Sequence, residues 1–79
     1  MKTDAEILEM FKAYHKAIIE FHEAAGQNPI GSRVVGKYRE AKARAWDALF
    51  AINYITEYGL WCDAGCPDSL EGIRYNRPA

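Results

Sequence analysis

Four side chains in this sequence could bind a metal ion: Cys62, Cys66, His15 and His22. Thiolates and imidazoles are the ligands that zinc prefers, and four of them would complete a tetrahedral site. The two histidines, however, are seven positions apart, which on a helix separates their backbones by about 10 Å. Zinc-binding histidines on one helix are normally three or four positions apart. The sequence therefore predicts no structural metal and no cofactor.

The cysteines have a C-x-x-x-C spacing, which differs from the C-x-x-C of thioredoxin-like redox sites. A disulfide between Cys62 and Cys66 is sterically allowed. It would close a very short loop and would therefore contribute little stability through chain entropy. We expect two reduced, partly buried thiols beside Trp61.

No arrangement of catalytic residues is found in the sequence. Asp63, Asp68 and Glu71 are clustered, but they lack the spacing of a calcium-binding loop. No serine has the surroundings of a nucleophile elbow, and no glycine-rich phosphate loop is present. A short helical chain also offers little concavity from which to exclude water around a substrate. The sequence predicts that the protein is not an enzyme.

The charges are divided into blocks along the chain, although the formal net charge is only -1. Residues 33–44 carry five basic side chains and one acidic side chain, whereas the segments before and after them are acidic. Arg33, Lys37 and Arg44 share one flank of the predicted helix and are candidates for contact with phosphate groups or an acidic partner. The alternative is a solvated face that pairs with carboxylates of the first helix.

An aromatic stripe follows the basic block. Trp46, Phe50 and Tyr54 recur at steps of four, so on one continuous helix they lie on the same side. Large aromatic side chains in an exposed row are typical of an interface. We expect this stripe to bind a protein partner, with Arg39 and Lys42 as its polar rim. The alternative is that the C-terminal tail folds back and covers the stripe.

The elements that must position these residues are predicted to be helices. A capping box, Thr3 to Glu6, begins a helix over about residues 4–25. Ser32 is the predicted N-cap of a second helix over about residues 33–58, and Gly59 its C′ residue. Residues 60–79 have the composition of loops and short turns. The predicted fold is a single all-α domain, an antiparallel two-helix hairpin with the C-terminal tail packed back on it.

The length of 79 residues also bears on assembly. A core of this size is worth only about 3–5 kcal/mol, and small chains usually need a disulfide, a metal or a partner subunit. Self-association of two hairpins would form a helical bundle with more buried surface, so we expect a homodimer. The polar N-terminus and the lack of a long apolar run predict a cytoplasmic protein with no membrane contact.

Two function classes are consistent with these features. The first is a non-enzymatic protein–protein interaction module. In its size, acidity and lack of catalytic motifs, the chain resembles the small inhibitors that phages use against host defence systems, such as anti-CRISPR proteins. That resemblance implies an inhibitor that acts in the cytoplasm of the host cell. The alternative is a small nucleic-acid-binding protein that uses residues 33–44; its weak, salt-sensitive phosphate contacts would be secondary to protein binding.

Overall fold

The computed structural model describes residues 2–29 and 31–73, and these residues form an all-helical fold. Helix α1 spans Asp4–Gln27, α2 spans Arg33–Ala51 and α3 spans Ile55–Asp63. The molecule is elongated, with extents of 43 × 24 × 19 Å. The all-α prediction is confirmed, whereas the number of helices differs from the prediction.

The predicted capping box begins α1. The Thr3 hydroxyl accepts a hydrogen bond from the backbone N–H of Glu6 at 3.2 Å, and the Glu6 carboxylate accepts one from the backbone N–H of Thr3 at 3.2 Å. The bond from the Thr3 N–H, together with one that the Thr3 hydroxyl donates to the Glu6 carboxylate, lowers the pKa of Glu6. The helix ends two residues beyond the prediction because Asn28 closes it: its backbone N–H and its side-chain amide both donate to the carbonyl of Ala24.

Removal of this cap should destabilise α1. We expect Thr3→Ala to lower the free energy of unfolding by about 1 kcal/mol, the typical cost of losing an N-cap hydroxyl. Because the pKa of Glu6 is lowered in the folded state, its part of the box acts above its ordinary pKa and is lost as the pH falls through the lowered value. Urea unfolding at neutral and acidic pH measures both effects. An unchanged midpoint at neutral pH would contradict this prediction.

Helices α1 and α2 form the predicted antiparallel hairpin. The Ser32 hydroxyl accepts from the backbone N–H of Val35 and starts α2, as predicted. Contacts between the two helices run in opposite order along the chain. The ring of Tyr14 lies 5.6 Å from that of Trp46, and further along α1 the Lys42 ammonium lies 4.5 Å from the ring centre of Phe21.

The prediction of one continuous helix over residues 33–58 is wrong. The chain turns at residues 52–54, where Asn53 adopts a left-handed conformation with φ 61°. The N–H of Asn53 donates to the carbonyl of Phe50, and that of Tyr54 donates to the carbonyl of Leu49. This pair of bonds is the Schellman motif, and asparagine tolerates its left-handed position better than most residues. Gly59 therefore lies inside α3 rather than at a helix end.

Aromatic side chains of α3 pack against α1 and form the core. Phe11 is fully buried, and its ring lies 5.7 Å from Tyr58 and 5.6 Å from Trp61. Leu70 and Ile73 are buried in the same cluster, so the tail packs back on the helices as predicted. The residues from Leu60 to Asp63, predicted to be loop, are helical. The predicted tail beyond residue 73 lies outside the described residues.

Two polar contacts hold the tail segment in place. The indole N–H of the buried Trp61 donates to the carbonyl of Pro67 at 2.7 Å. The Lys12 ammonium lies 3.1 Å from the Asp68 carboxylate. The ion pair is exposed to solvent and adds little stability, since surface pairs contribute about 0–1 kcal/mol. The partly buried hydrogen bond and the apolar side chains therefore supply most of the docking energy of this segment.

Candidate functional site

One side of α2 exposes an apolar surface, at whose edge Trp46 also contacts Tyr14 of α1. We define this outer face by the exposed residues Ala43, Trp46, Asp47, Phe50 and Ala51. The Phe50 side chain is 71% exposed and that of Trp46 is 39% exposed. Among the described residues, the tail does not cover Phe50, because it packs on the opposite side, against Phe11. Within that part of the chain, the alternative of a stripe buried by the tail is therefore wrong for Phe50.

Tyr54 does not belong to this surface. The turn at Asn53 ends the helical periodicity that placed it with Trp46 and Phe50. Its ring is half-buried and lies 6.4 Å from the ring of Phe11, in the core cluster. The predicted three-residue stripe is therefore divided: two aromatic residues precede the turn and stay outside, and the third follows it and packs inside.

Arg39 and Lys42, predicted as the polar rim of the stripe, lie over an aromatic ring of α1. The guanidinium carbon of Arg39 is 6.0 Å and the ammonium of Lys42 is 4.5 Å from the centre of the Phe21 ring. Cation–π contacts of this length are attractive. Both residues therefore have a packing role within the hairpin, and their role toward a partner stays a prediction.

The other three basic candidates lie at the surface of α2. Arg33 and Lys37 are exposed. Arg44 is also exposed, and its guanidinium lies 3.5 Å from the Glu40 carboxylate one turn earlier. This arrangement does not test the predicted contact of Arg33, Lys37 and Arg44 with phosphate groups or an acidic partner, which stays a prediction. The basic block is nevertheless divided between the surface and the packing against Phe21.

A second constellation joins α1 to the end of α3. One imidazole nitrogen of His15 and the sulfur atoms of Cys62 and Cys66 lie within 4.8 Å of one another. Both cysteines are free thiols, and all three residues are half-buried. The expectation of partly buried thiols is confirmed, whereas their reduced state stays a prediction. The histidine in this group was not predicted to approach them.

The chain reversal after α3 brings the two cysteines together. The N–H of Gly65 donates to the carbonyl of Cys62, and the N–H of Cys66 donates to the carbonyl of Trp61. These bonds form a second Schellman motif, in which Gly65 occupies the left-handed position with φ 91°. Cys66 follows with φ 56°, a conformation uncommon for a residue with a side chain. The motif turns Cys66 back toward the last turn of α3.

The surroundings of the thiols are aromatic and weakly solvated. The imidazole of His15 meets the indole of Trp61 edge to face, with ring centres 5.9 Å apart. Desolvation raises the pKa of the Tyr58 phenol, and a hydrogen bond with the Cys62 side chain raises it further. Desolvation also raises the pKa of the Cys66 thiol, with a further contribution from Cys62. A neutral thiol is therefore favoured at Cys66 when no cation is close.

His22, the second histidine considered above, lies elsewhere on α1. It is exposed, and its ring centre is 5.6 Å from that of Phe21. The seven-residue spacing between His15 and His22 correctly indicates that the two do not share a site. That spacing has no bearing on a site that contains His15 but not His22. The signal that could have indicated the cluster is the packing of Trp61 on α1, which brings its neighbour Cys62 to His15.

Two further findings bear on the functional interpretation. None of the helices in the described part of the chain is long and apolar enough to cross a membrane. Comparison of the sequence and structure with protein-family models, with curated proteins and with solved structures gives no match. The functional interpretation consequently depends on the outer face of α2 and the His15–Cys62–Cys66 cluster.

Proposed function

We propose that this protein is a non-enzymatic protein–protein interaction module that binds through the outer face of α2. The observation that carries the proposal is the exposure of Phe50, 71% of which faces solvent on a helix whose other side is already packed against α1. An aromatic side chain that contributes nothing to the core is costly to leave in water. Aromatic residues in such positions are also the ones that most often dominate binding energy at interfaces.

The occupant that we assign to this face is a second copy of the chain. The small side chains of the outer face, Ala43 and Ala51, allow another helix to approach closely. The exposed Asp47 lies within this face and the exposed Arg44, three positions earlier, lies at its edge, so that charges of opposite sign are available. In an antiparallel pairing about a two-fold axis, Arg44 of each copy lies opposite Asp47 of the other. Two hairpins joined in this way form a helical bundle.

The proposed dimer acts by binding rather than by catalysis. No catalytic motif was found in the sequence, and the exposed face of α2 is a convex helical surface rather than a cleft. We infer that such a dimer occupies a surface on a larger assembly, as small phage inhibitors of host defence systems do, including anti-CRISPR proteins. This inference, together with cytoplasmic action in a host cell, depends on the resemblance in size, acidity and composition described above.

The test of the dimer uses Phe50→Ser and a matched control. We expect Phe50→Ser to weaken self-association by about 1,000-fold, because each of the two copies loses an interface residue worth about 2 kcal/mol. Helicity should be unchanged, because the side chain is outside the core. The control is Ile19→Ser, which removes an apolar side chain that is 45% exposed on α1 and should leave association unchanged. Sedimentation equilibrium measures the mass and circular dichroism measures the helicity.

A charge reversal tests the proposed pairing. Arg44→Asp and Asp47→Arg should each weaken the dimer, because each places like charges opposite one another. The double variant should restore it, because the pairs form again with opposite sign. A wild-type protein of one-chain mass at every concentration overturns the second copy as the occupant. An unchanged mass in Phe50→Ser overturns the assignment of this face.

A further inference from the structure

The His15–Cys62–Cys66 cluster has a chemical capacity that binding through α2 does not use. It brings two thiols and one imidazole from two separate parts of the chain to within 4.8 Å. His15 lies in the middle of α1, Cys62 in the last turn of α3, and Cys66 just after it. These three residues share no secondary structure element, so their convergence depends on the docking of α3 on α1.

From this geometry we propose that His15, Cys62 and Cys66 bind one zinc ion. Two thiolates and an imidazole form a soft donor set that suits Zn²⁺ and disfavours Mg²⁺ and Ca²⁺, which take oxygen ligands. In a tetrahedral zinc site with bonds of about 2.0–2.3 Å, neighbouring ligand atoms lie about 3.5–3.8 Å apart. The observed separation exceeds that value by about 1.3 Å or less, which small side-chain rotations can close.

The surroundings favour this ion in two ways. The Schellman motif fixes the backbone of Cys66 through its bond to the Trp61 carbonyl, and Trp61 in turn lies against the His15 ring. Two of the three ligands are therefore held by the same buried residue. Because the cluster is only half-buried, an ion can enter from solvent and water can complete the tetrahedron. Binding releases the two thiol protons, since thiolate is the form that binds the metal.

The proposed ion would also add to the stability of a fold whose small core contributes little free energy. It would join α1 to the C-terminal end of α3 and so connect the two parts of the fold that the turn at Asn53 separates. Such a link stabilises the folded chain in proportion to the logarithm of the free zinc concentration. The expectation of no structural metal came from the distance between His15 and His22, and this site does not require His22.

The experiment is a titration of the reduced, metal-free protein with Co²⁺, followed by displacement with Zn²⁺. We expect one equivalent of Co²⁺ to produce a thiolate-to-cobalt charge-transfer band together with the visible bands of tetrahedral cobalt, and Zn²⁺ to abolish both. His15→Ala and Cys66→Ser should weaken binding by more than about 100-fold, beyond the 10–100-fold loss typical of a residue that merely supports a ligand. His22→Ala is the matched control and should bind as the wild type does.

Two further measurements keep the result unambiguous. Titration of free thiols confirms that both cysteines are reduced before the metal is added, and circular dichroism confirms that each variant is folded. Zinc should raise the melting temperature of the wild type and of His22→Ala, but not that of Cys66→Ser. The proposal is overturned if reduced, folded protein gives no cobalt bands at one equivalent. It is also overturned if His15→Ala binds as tightly as His22→Ala.

Discussion

Replacement of Phe11 by alanine is expected to unfold the protein at room temperature. Phe11 is fully buried, and its ring meets those of Tyr54, Tyr58 and Trp61 at 5.6–6.4 Å. Loss of a buried phenylalanine costs about 3–5 kcal/mol. A core of this size contributes about 3–5 kcal/mol in total. The substitution therefore removes nearly all of the stability of the monomer.

Far-ultraviolet circular dichroism and urea unfolding measure this loss. The matched control is Phe50→Ala, which removes the same side chain from an exposed position and should change the free energy of unfolding of the monomer by less than about 0.5 kcal/mol. Dilute protein keeps association from contributing to the comparison. A cooperative transition of Phe11→Ala at the wild-type midpoint would show that the core is not organised around this ring.

Trp61→Ala is expected to have the second largest effect and to act unevenly along the chain. Trp61 is buried, and it donates its indole N–H to the Pro67 carbonyl. Part of the cost of its loss falls on the docking of residues 64–73 rather than on the α1–α2 hairpin, because the Pro67 carbonyl is left without its partner. We expect residues 64–73 to lose protection first, because their anchor is removed while the α1–α2 contacts remain.

Hydrogen exchange resolved by segment tests that expectation. Amides of residues 64–73 should exchange faster in Trp61→Ala, by a larger factor than those of α1 and α2. The control is Trp46→Ala, where the side chain is partly in water and the expected cost is about 1–2 kcal/mol. Its loss should affect the contact with Tyr14 rather than the tail. Uniform acceleration in Trp61→Ala would mean that the tail and hairpin unfold as one unit.

The helix starts were predictable because they depend on residues close in sequence. Thr3 with Glu6, and Ser32 with the N–H of Val35, each satisfy backbone donors three positions away. Such bonds form in the same way whatever the tertiary structure, so the sequence pattern is sufficient. The all-α class and the antiparallel hairpin follow from these starts and from the short connection between the helices.

The turn at Asn53 could not be predicted with the same rules. Residues 45–58 hold no glycine or proline, and their apolar pattern fits one long helix as well as two. The choice is made by tertiary packing: ending α2 at Ala51 lets Tyr54 and Tyr58 reach Phe11. Burial of those rings outweighs the few backbone bonds lost at the turn. The same turn explains why the helical period of Trp46 and Phe50 does not extend to Tyr54.

The approach of His15 to Cys62 and Cys66 is not predictable from the sequence for a related reason. A spacing rule applies to ligands on one element, and it correctly separates His15 from His22. The cluster instead combines one residue of α1 with two near the end of α3. To predict this cluster, one must know which turn of α1 contacts Trp61. Contacts between distant parts of a chain of this kind are not encoded in any short pattern.

The turn at Asn53 determines which substitutions the protein can accept without loss of stability. It places Phe50 and Tyr54, only four positions apart, in separate environments: one in solvent and the other in the core. Mutations at sites that share no contacts have effects on stability that are nearly additive. The part of the outer face around Phe50 can therefore be remodelled without repacking the interior. The three-residue turn thus separates an exposed face of α2, where substitutions can create new binding specificities, from the buried residues that maintain the fold.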